Sequence, residues 1–311
     1  MRVAVLQLCP LTPVLEAALC ARFTVHRLWE AEDEDAWITK HGHTIRAVVT
    51  GGHIGISNSL AQRLPALEIV SINGVGFDKV DLAEAGRRGY RVTNTPDVLT
   101  DDVADLAIGL IIALSRQIPA GDRYVRAGRW RAGDMPLGTK VSHRRYGILG
   151  LGRIGRAIAQ RLEGFRAAIS YSDSVEFDVP YVFHPTPEAL AAHCDVLIVA
   201  AAASAKTRNL VGQPVFDALG PKGILVNVAR GSLVDEPALV SALTEGRLGG
   251  AALDVFAHEP LVPEALLSMP NVIVTPHIAS ATHETREAMA DLVLANLDAH
   301  FTGRSLPSAL V

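Results

Sequence analysis

The chain has 311 residues, with Lys+Arg 29 against Asp+Glu 33 for a formal net charge of -4, and is 49% apolar and 20% charged. That length suits two domains rather than one core, the composition excludes bulk disorder, and the charge supplies no basic footprint for nucleic acid or an anionic membrane. Cys9, Cys20 and Cys194 are odd in number and lack ligand spacing, so neither a disulfide framework nor a metal site is expected.

In chain order, β-branched runs predict strands near 2–8, 23–28, 45–50, 67–72 and 90–93, with helical periodicity between them. The opening MRVAVLQLCPLTP is strand-like rather than a signal peptide. The longest apolar stretches, 106–114 and 196–203, fall short of the roughly 18 to 20 residues that span a bilayer, and a cytoplasmic protein is expected. An apolar helix follows over 101–115; Pro119 should break it before a second helical piece ending at Gly128, a plausible crossing between domains. A second series of six strands is predicted at 146–149, 167–171, 196–200, 224–228, 251–255 and 272–275, and an amphipathic helix over 284–301 closes the chain. Strands alternating with helices throughout give an α/β fold with parallel sheets.

The segment YGILGLGRIGRAIAQRLEG places Gly150, Gly152 and Gly155 between an apolar strand and an Ala-rich helix. In that context Gly150 permits a tight turn, Gly152 lets backbone approach a pyrophosphate, and Gly155 allows close packing, with the helix N-terminus facing the phosphates. About 20 residues on, where an acidic residue usually takes the ribose hydroxyls, stands Tyr171-Ser172-Asp173-Ser174. Asp173 is the candidate: its carboxylate suits NAD and repels the 2'-phosphate of NADP, although the same residue also suits a loop cap.

Three further residues follow strands of the second series, at the edge where open α/β sheets bind ligands: Arg230 after ILVNVA, Glu259 in LDVFAHEP and His277 after VIVTP. A guanidinium fork matches the two oxygens of a carboxylate. A carbonyl that becomes an alkoxide on hydride arrival needs a proton donor, for which histidine is the usual choice. Glu259 beside His277 would favour the charged imidazolium. Taken singly, an Arg after a strand is more often a surface ion pair, and one His among eleven is more often structural.

These residues, with SINGVGFDKVDL at 71–82, TNTPDVLTDDVADLAIGLIIALSR at 93–116 and GLGRIG at 150–155, resemble the D-isomer-specific 2-hydroxyacid dehydrogenase family over nearly the whole chain. The likeness is greatest to its glyoxylate/hydroxypyruvate and hydroxyphenylpyruvate reductase branch. The resemblance implies two domains of Rossmann-like and flavodoxin-like design with an interdomain cleft. The discontinuous substrate domain would comprise 1–97 and 279–311, and the dinucleotide domain 98–278. It assigns substrate anchoring to Arg230, the carboxylate partner to Glu259 and acid/base work to His277, with Gly74, Val75 and Gly76 holding the substrate carboxylate. On the cofactor side it implies Thr100, Leu149, Gly150, Gly152, Arg153, Ile154, Gly155, Ser172, Asp173, Val228, Ala229 and Asp254.

Two departures leave the cofactor open between NAD and NADP. NADP-preferring relatives usually carry Arg after the strand at 167–171 and NAD-preferring ones an Asp directly after its aromatic residue, whereas here Ser172 intervenes before Asp173. Residues 200–207, AAAASAKT, also lack the usual proline. The expected reaction is NAD(P)H-dependent reduction of a small 2-oxo acid, glyoxylate, hydroxypyruvate or an aryl-pyruvate, with hinges near 97–102 and 276–281. The family implies a homodimer, with 119–145, including Trp130, Met135 and Leu137, as the expected interface. The rival readings are a dinucleotide-sensing corepressor or scaffold with little turnover, and another Rossmann enzyme, which would leave Arg230, Glu259 and His277 unexplained.

Overall fold

The computed structural model describes residues 2–311. They form two compact units: unit 1 runs through Leu99 and resumes over Ala281–Val311, and unit 2 is Thr100–Ser280. Both divisions fall two residues beyond the expected ones.

Unit 1 runs β1 (Ala4–Gln7), α1 (Pro13–Arg22), β2 (Thr24–Arg27), α2 (Glu34–His41), β3 (Ala47–Gly51), α3 (Asn58–Gln62), β4 (Ile69–Asn73), α4 (Leu82–Arg88) and β5 (Arg91–Thr93). The strands form one parallel sheet in the order β2-β1-β3-β4-β5. β3 is buried throughout and β4 nearly so, as parallel strands covered on both faces must be. Alternate residues serve opposite cores: Val48 and Val70 pack with Leu6, Ile72 and Tyr90, whereas Val49 and Ile69 pack with Leu15, Leu19, Val293 and Leu297. Helix starts follow local chemistry. Thr12 caps α1 ahead of Pro13, and Asp81 caps α4, which ends at Gly89 in the left-handed conformation.

Unit 2 runs α5 (Thr100–Ser115), α6 (Ile118–Arg126), β6 (Arg145–Leu149), α7 (Arg153–Glu163), β7 (Ala168–Ser172), β8 (Val182–Phe183), α8 (Pro187–Ala192), β9 (Val196–Val199), α9 (Gln213–Leu219), β10 (Ile224–Asn227), α10 (Glu236–Thr244), β11 (Gly250–Leu253), α11 (Glu264–Ser268) and β12 (Val272–Val274). The last helix, α12 (His283–Phe301), returns to unit 1. The second sheet is parallel in the order β12-β11-β10-β9-β6-β7-β8, so the strand order reverses between β6 and β9, where α/β sheets place their ligands.

Two expectations for unit 2 are corrected. The sheet has seven strands, not six: β8 is a two-residue edge strand, too short for any periodicity, beside Tyr171, whose ring lies 5.4 Å from Phe183. Pro119 does not cause the break after α5. The chain turns at Gln117, with φ +54°, and Pro119 sits in the first turn of α6, where a missing N–H is tolerated. Arg161 of α7 pairs with Asp101 at 2.9 Å and Asp105 at 2.5 Å on α5, tying those helices together. Among the described residues no single helix is long and apolar enough to cross a membrane.

Candidate active site

The turn after β6 explains its glycines individually. Gly150 has φ +95°, and a Cβ there would lie 2.4 Å from the Ala201 Cα; a Cβ on Gly155 would lie 2.1 Å from the Gly150 carbonyl oxygen. Side chains are excluded at both by packing. A Cβ on Gly152 would meet nothing within 4 Å, and Gly152 caps α7 without any side-chain hydrogen bond. Open space in front of uncapped helix amides is the arrangement that receives a pyrophosphate. Leu149 is buried at the end of β6, while Arg153 and Ile154 open α7 and Thr100 opens α5. The residues present therefore fit a dinucleotide.

At the neighbouring strand end, Ser172 is 3% exposed and its carbonyl accepts from Gly150 N at 2.8 Å, so its contribution is backbone. Asp173 reaches back to the glycine loop. One carboxylate oxygen accepts from Leu151 N at 2.8 Å, and the other from Ser174 N at 2.6 Å and Ser174 Oγ at 3.1 Å. The acidic side chain thus stands beside the glycine turn despite its one-residue offset after Tyr171.

The expected catalytic residues all lie in unit 2, on the loops after β10, β11 and β12. After β10, the Asn227 side chain accepts from Ala229 N and donates to Arg230 O, both at 3.0 Å, which shapes the turn carrying Val228, Ala229 and Arg230. Arg230 Nη1 donates to Ala229 O at 2.7 Å. Gly231 follows because a Cβ would lie 1.9 Å from the Phe256 carbonyl carbon, so only glycine lets this turn press against the one bearing Glu259. Within that second turn, Glu259 Oε1 accepts from Phe256 N at 3.0 Å, and Glu236 of α10 accepts from Ala257 N at 2.7 Å. Glu259 Oε2 lies 2.7 Å from His277 Nδ1, with side-chain exposures of 22% and 32%. A carboxylate on Nδ1 fixes the imidazole plane and directs proton transfer to Nε2.

His277 itself has φ +52°, a region that a residue with a Cβ enters at a cost. Asp254, fully buried at the end of β11, supports it. Its Oδ1 accepts from Thr275 Oγ1 at 2.7 Å and Ile278 N at 2.9 Å, its Oδ2 accepts from Ala279 N at 2.9 Å, and its carbonyl accepts from His277 N at 2.9 Å. The Asp254 carboxylate is thus engaged by the His277 turn, a role its expected place near the cofactor did not foretell. Asn227 and Glu236 were also missed; their only sequence signals are a polar residue ending an apolar strand and an acid in the first turn of a helix.

In unit 1, Gly74, Val75 and Gly76 form the turn after β4. Gly74 O accepts from Thr95 N at 2.9 Å, and Val75 O from Asn94 Nδ2 at 2.8 Å.

The family model for the D-isomer specific 2-hydroxyacid dehydrogenase NAD binding domain matches residues 108–279. Over 310 residues the chain is 51% identical to glyoxylate/hydroxypyruvate reductase A of Arabidopsis thaliana and 50% identical to hydroxyphenylpyruvate reductase of Plectranthus scutellarioides, covering 99% of both chains in each case. A solved structure of the NADPH-dependent glyoxylate/hydroxypyruvate reductase of Sinorhizobium meliloti, in complex with NADP and malonate, aligns with a TM-score of 0.94 at 43% identity, covering 100% of this chain and 97% of that one. The chain belongs to the D-isomer-specific 2-hydroxyacid dehydrogenase family. It is an oxidoreductase that uses NAD(P), and the Glu259–His277 pair and the glycine turn after β6 lie within the matched segment.

Proposed function

We propose that the protein reduces a small 2-oxo acid to the D-2-hydroxy acid, with glyoxylate and hydroxypyruvate the favoured substrates and an aryl-pyruvate the larger alternative. The observation that carries this reading is the 2.7 Å Glu259–His277 contact, with the Arg230 turn packed against the Glu259 turn, in a unit whose glycine loop suits a dinucleotide. The reduced nicotinamide, when bound, supplies the hydride. His277 delivers a proton from Nε2 to the carbonyl oxygen, Glu259 holds the ring in orientation, and Arg230 offers its guanidinium to the oxo acid. The backbone amides of Val75 and Gly76 are the donors unit 1 offers to a carboxylate. The reductase names of the relatives support this reading over a sensor with little turnover.

Two further parts of the reading rest on other observations. Ile118, Val125, Trp130 and Leu137 are 53%, 55%, 65% and 96% exposed, and these large apolar side chains in α6 and the segment after it support a homodimer through this region, which light scattering would detect. The three free cysteines suit the reducing cytoplasm. The functional test is NADH and NADPH oxidation against glyoxylate, hydroxypyruvate and phenylpyruvate in parallel. Turnover with at least one pair is expected; binding of NADH without turnover of any oxo acid would favour the sensor.

A further inference from the structure

The turn at Gly74–Gly76 is held from one side. In a trans peptide the N–H points opposite to the C=O of the same unit. Gly74 O is fixed toward Thr95 N and Val75 O toward Asn94 Nδ2, so the N–H groups of Val75 and Gly76 are both aimed away from residues 94–95. Two successive amides presented together make a concave donor pair suited to an anionic oxygen.

Asn94 is unusually well fixed for a residue just past the end of an edge strand. It is 5% exposed. Its carbonyl accepts from Ser308 Oγ at 2.6 Å, and its own N–H donates to Ser308 O at 3.4 Å. Ser308 is in turn held by Asn296 of α12, which is fully buried: Asn296 Nδ2 donates to Ser308 Oγ at 2.8 Å and to Leu292 O at 2.8 Å, while Asn296 Oδ1 accepts from Ser308 N at 3.2 Å. The tail then continues antiparallel along β5, with an Ala309–Thr93 bridge and Leu310 N donating to Val92 O at 2.8 Å. A buried polar chain therefore runs from α12 through Ser308 and Asn94 to the turn at 74–76, with each link hydrogen-bonded to the next.

We propose that Asn94 is a positioning residue for substrate binding: anchored by Ser308 and Asn296, its side-chain amide sets the direction in which Val75 and Gly76 present their N–H groups to the oxo-acid carboxylate. This rests on the reading of the turn as the carboxylate site. Replacing Asn94 with Asp keeps size and shape but sets a carboxylate oxygen against the Val75 carbonyl, while Asn94→Ala removes the donor. Ser308→Ala leaves Asn94 in place and removes one of its anchors.

The test measures KM and kcat for glyoxylate, inhibition by oxalate, and NADH affinity by fluorescence titration, since the dinucleotide site belongs to unit 2. Losing the alignment provided by one hydrogen bond predicts a rise of about fivefold or more in glyoxylate KM and oxalate Ki for Asn94→Ala and Asn94→Asp. Ser308→Ala should show a smaller rise that Ser308→Thr restores, with kcat and NADH affinity unchanged in every case. Leu310→Ala, which trims the apolar packing of the same tail outside the polar chain, should lower the melting temperature and leave KM alone. An unchanged KM in Asn94→Ala overturns the proposal, as does a proportionate fall in kcat and NADH affinity together. If the Asn94 variants do not fold, an unchanged KM in Ser308→Ala overturns it. A wild-type protein that turns over no oxo acid would instead refute the functional reading beneath it.

Discussion

Asp254→Asn should disable reduction although Asp254 need not touch the substrate. The carboxylate accepts three hydrogen bonds from the His277 turn, two on Oδ1 and one on Oδ2, in full burial. Asparagine retains one acceptor oxygen and places an amide against a group that also donates. The exchange loses a charge-assisted bond of roughly 1.5–3 kcal/mol and leaves a buried donor unpaired at a further ~1–3 kcal/mol. That support opposes the ~1–3 kcal/mol cost of the left-handed backbone at His277. If about 3 kcal/mol is removed from the active arrangement, then at about 1.4 kcal/mol per factor of ten kcat falls about 100-fold. Steady-state reduction beside a thermal melt measures both consequences. A folded variant with kcat within about threefold of wild type would refute the claim that Asp254 holds the His277 turn.

Other variants probe separate parts of the site and fold. Glu259→Leu removes the contacts to Phe256 N and His277 Nδ1 and should lower kcat by roughly 10²-fold, whereas Glu259→Gln, which can still hydrogen-bond the ring, should retain more; equal losses would show that orientation is not its contribution. Asp173→Ser should shift the ratio of NADPH to NADH affinity upward by about tenfold, read by titration, because a carboxylate repels the 2'-phosphate; an unchanged ratio places Asp173 outside the ribose site. Burial pushes the Asp195 carboxyl up, but hydrogen bonds from the Arg145 side chain and backbone outweigh it and hold the group below its ordinary value. The folded state therefore gains stability from this carboxylate above the ordinary aspartate range near 4, and loses it as pH falls through the lowered folded value. Asp195→Asn should be less stable than wild type at neutral pH, with the gap closing in acid; a pH-independent gap would contradict the ion pair.

The sequence was most informative where chemistry forces a residue type. Gly150 and Gly155 are required by contacts of 2.4 and 2.1 Å that any Cβ would make, and the buried β3 and β4 are legible as short runs rich in β-branched residues, AVVTG and IVSIN. His277 and Glu259 were legible because each follows a strand of the second series. Features built by pairing across distance were not. β8 has two residues and no periodicity, and Asp254 gives no sign that it faces residues 275–279. Likewise Asn94 and Ser308 are separated by 214 residues that the fold alone brings together. Pro119 marked the break after α5 one turn late, because a proline at a helix start and one at a helix end look alike in sequence.

The role proposed for His277, oriented by Glu259, is to give the proton that completes reduction of the oxo acid. The most direct measurement is kcat for glyoxylate or hydroxypyruvate reduction by His277→Ala, made beside NADH affinity of the same preparation. A loss of about 10²-fold or more with cofactor binding intact is expected. Turnover near the wild-type rate, with NADH bound as before, would contradict it.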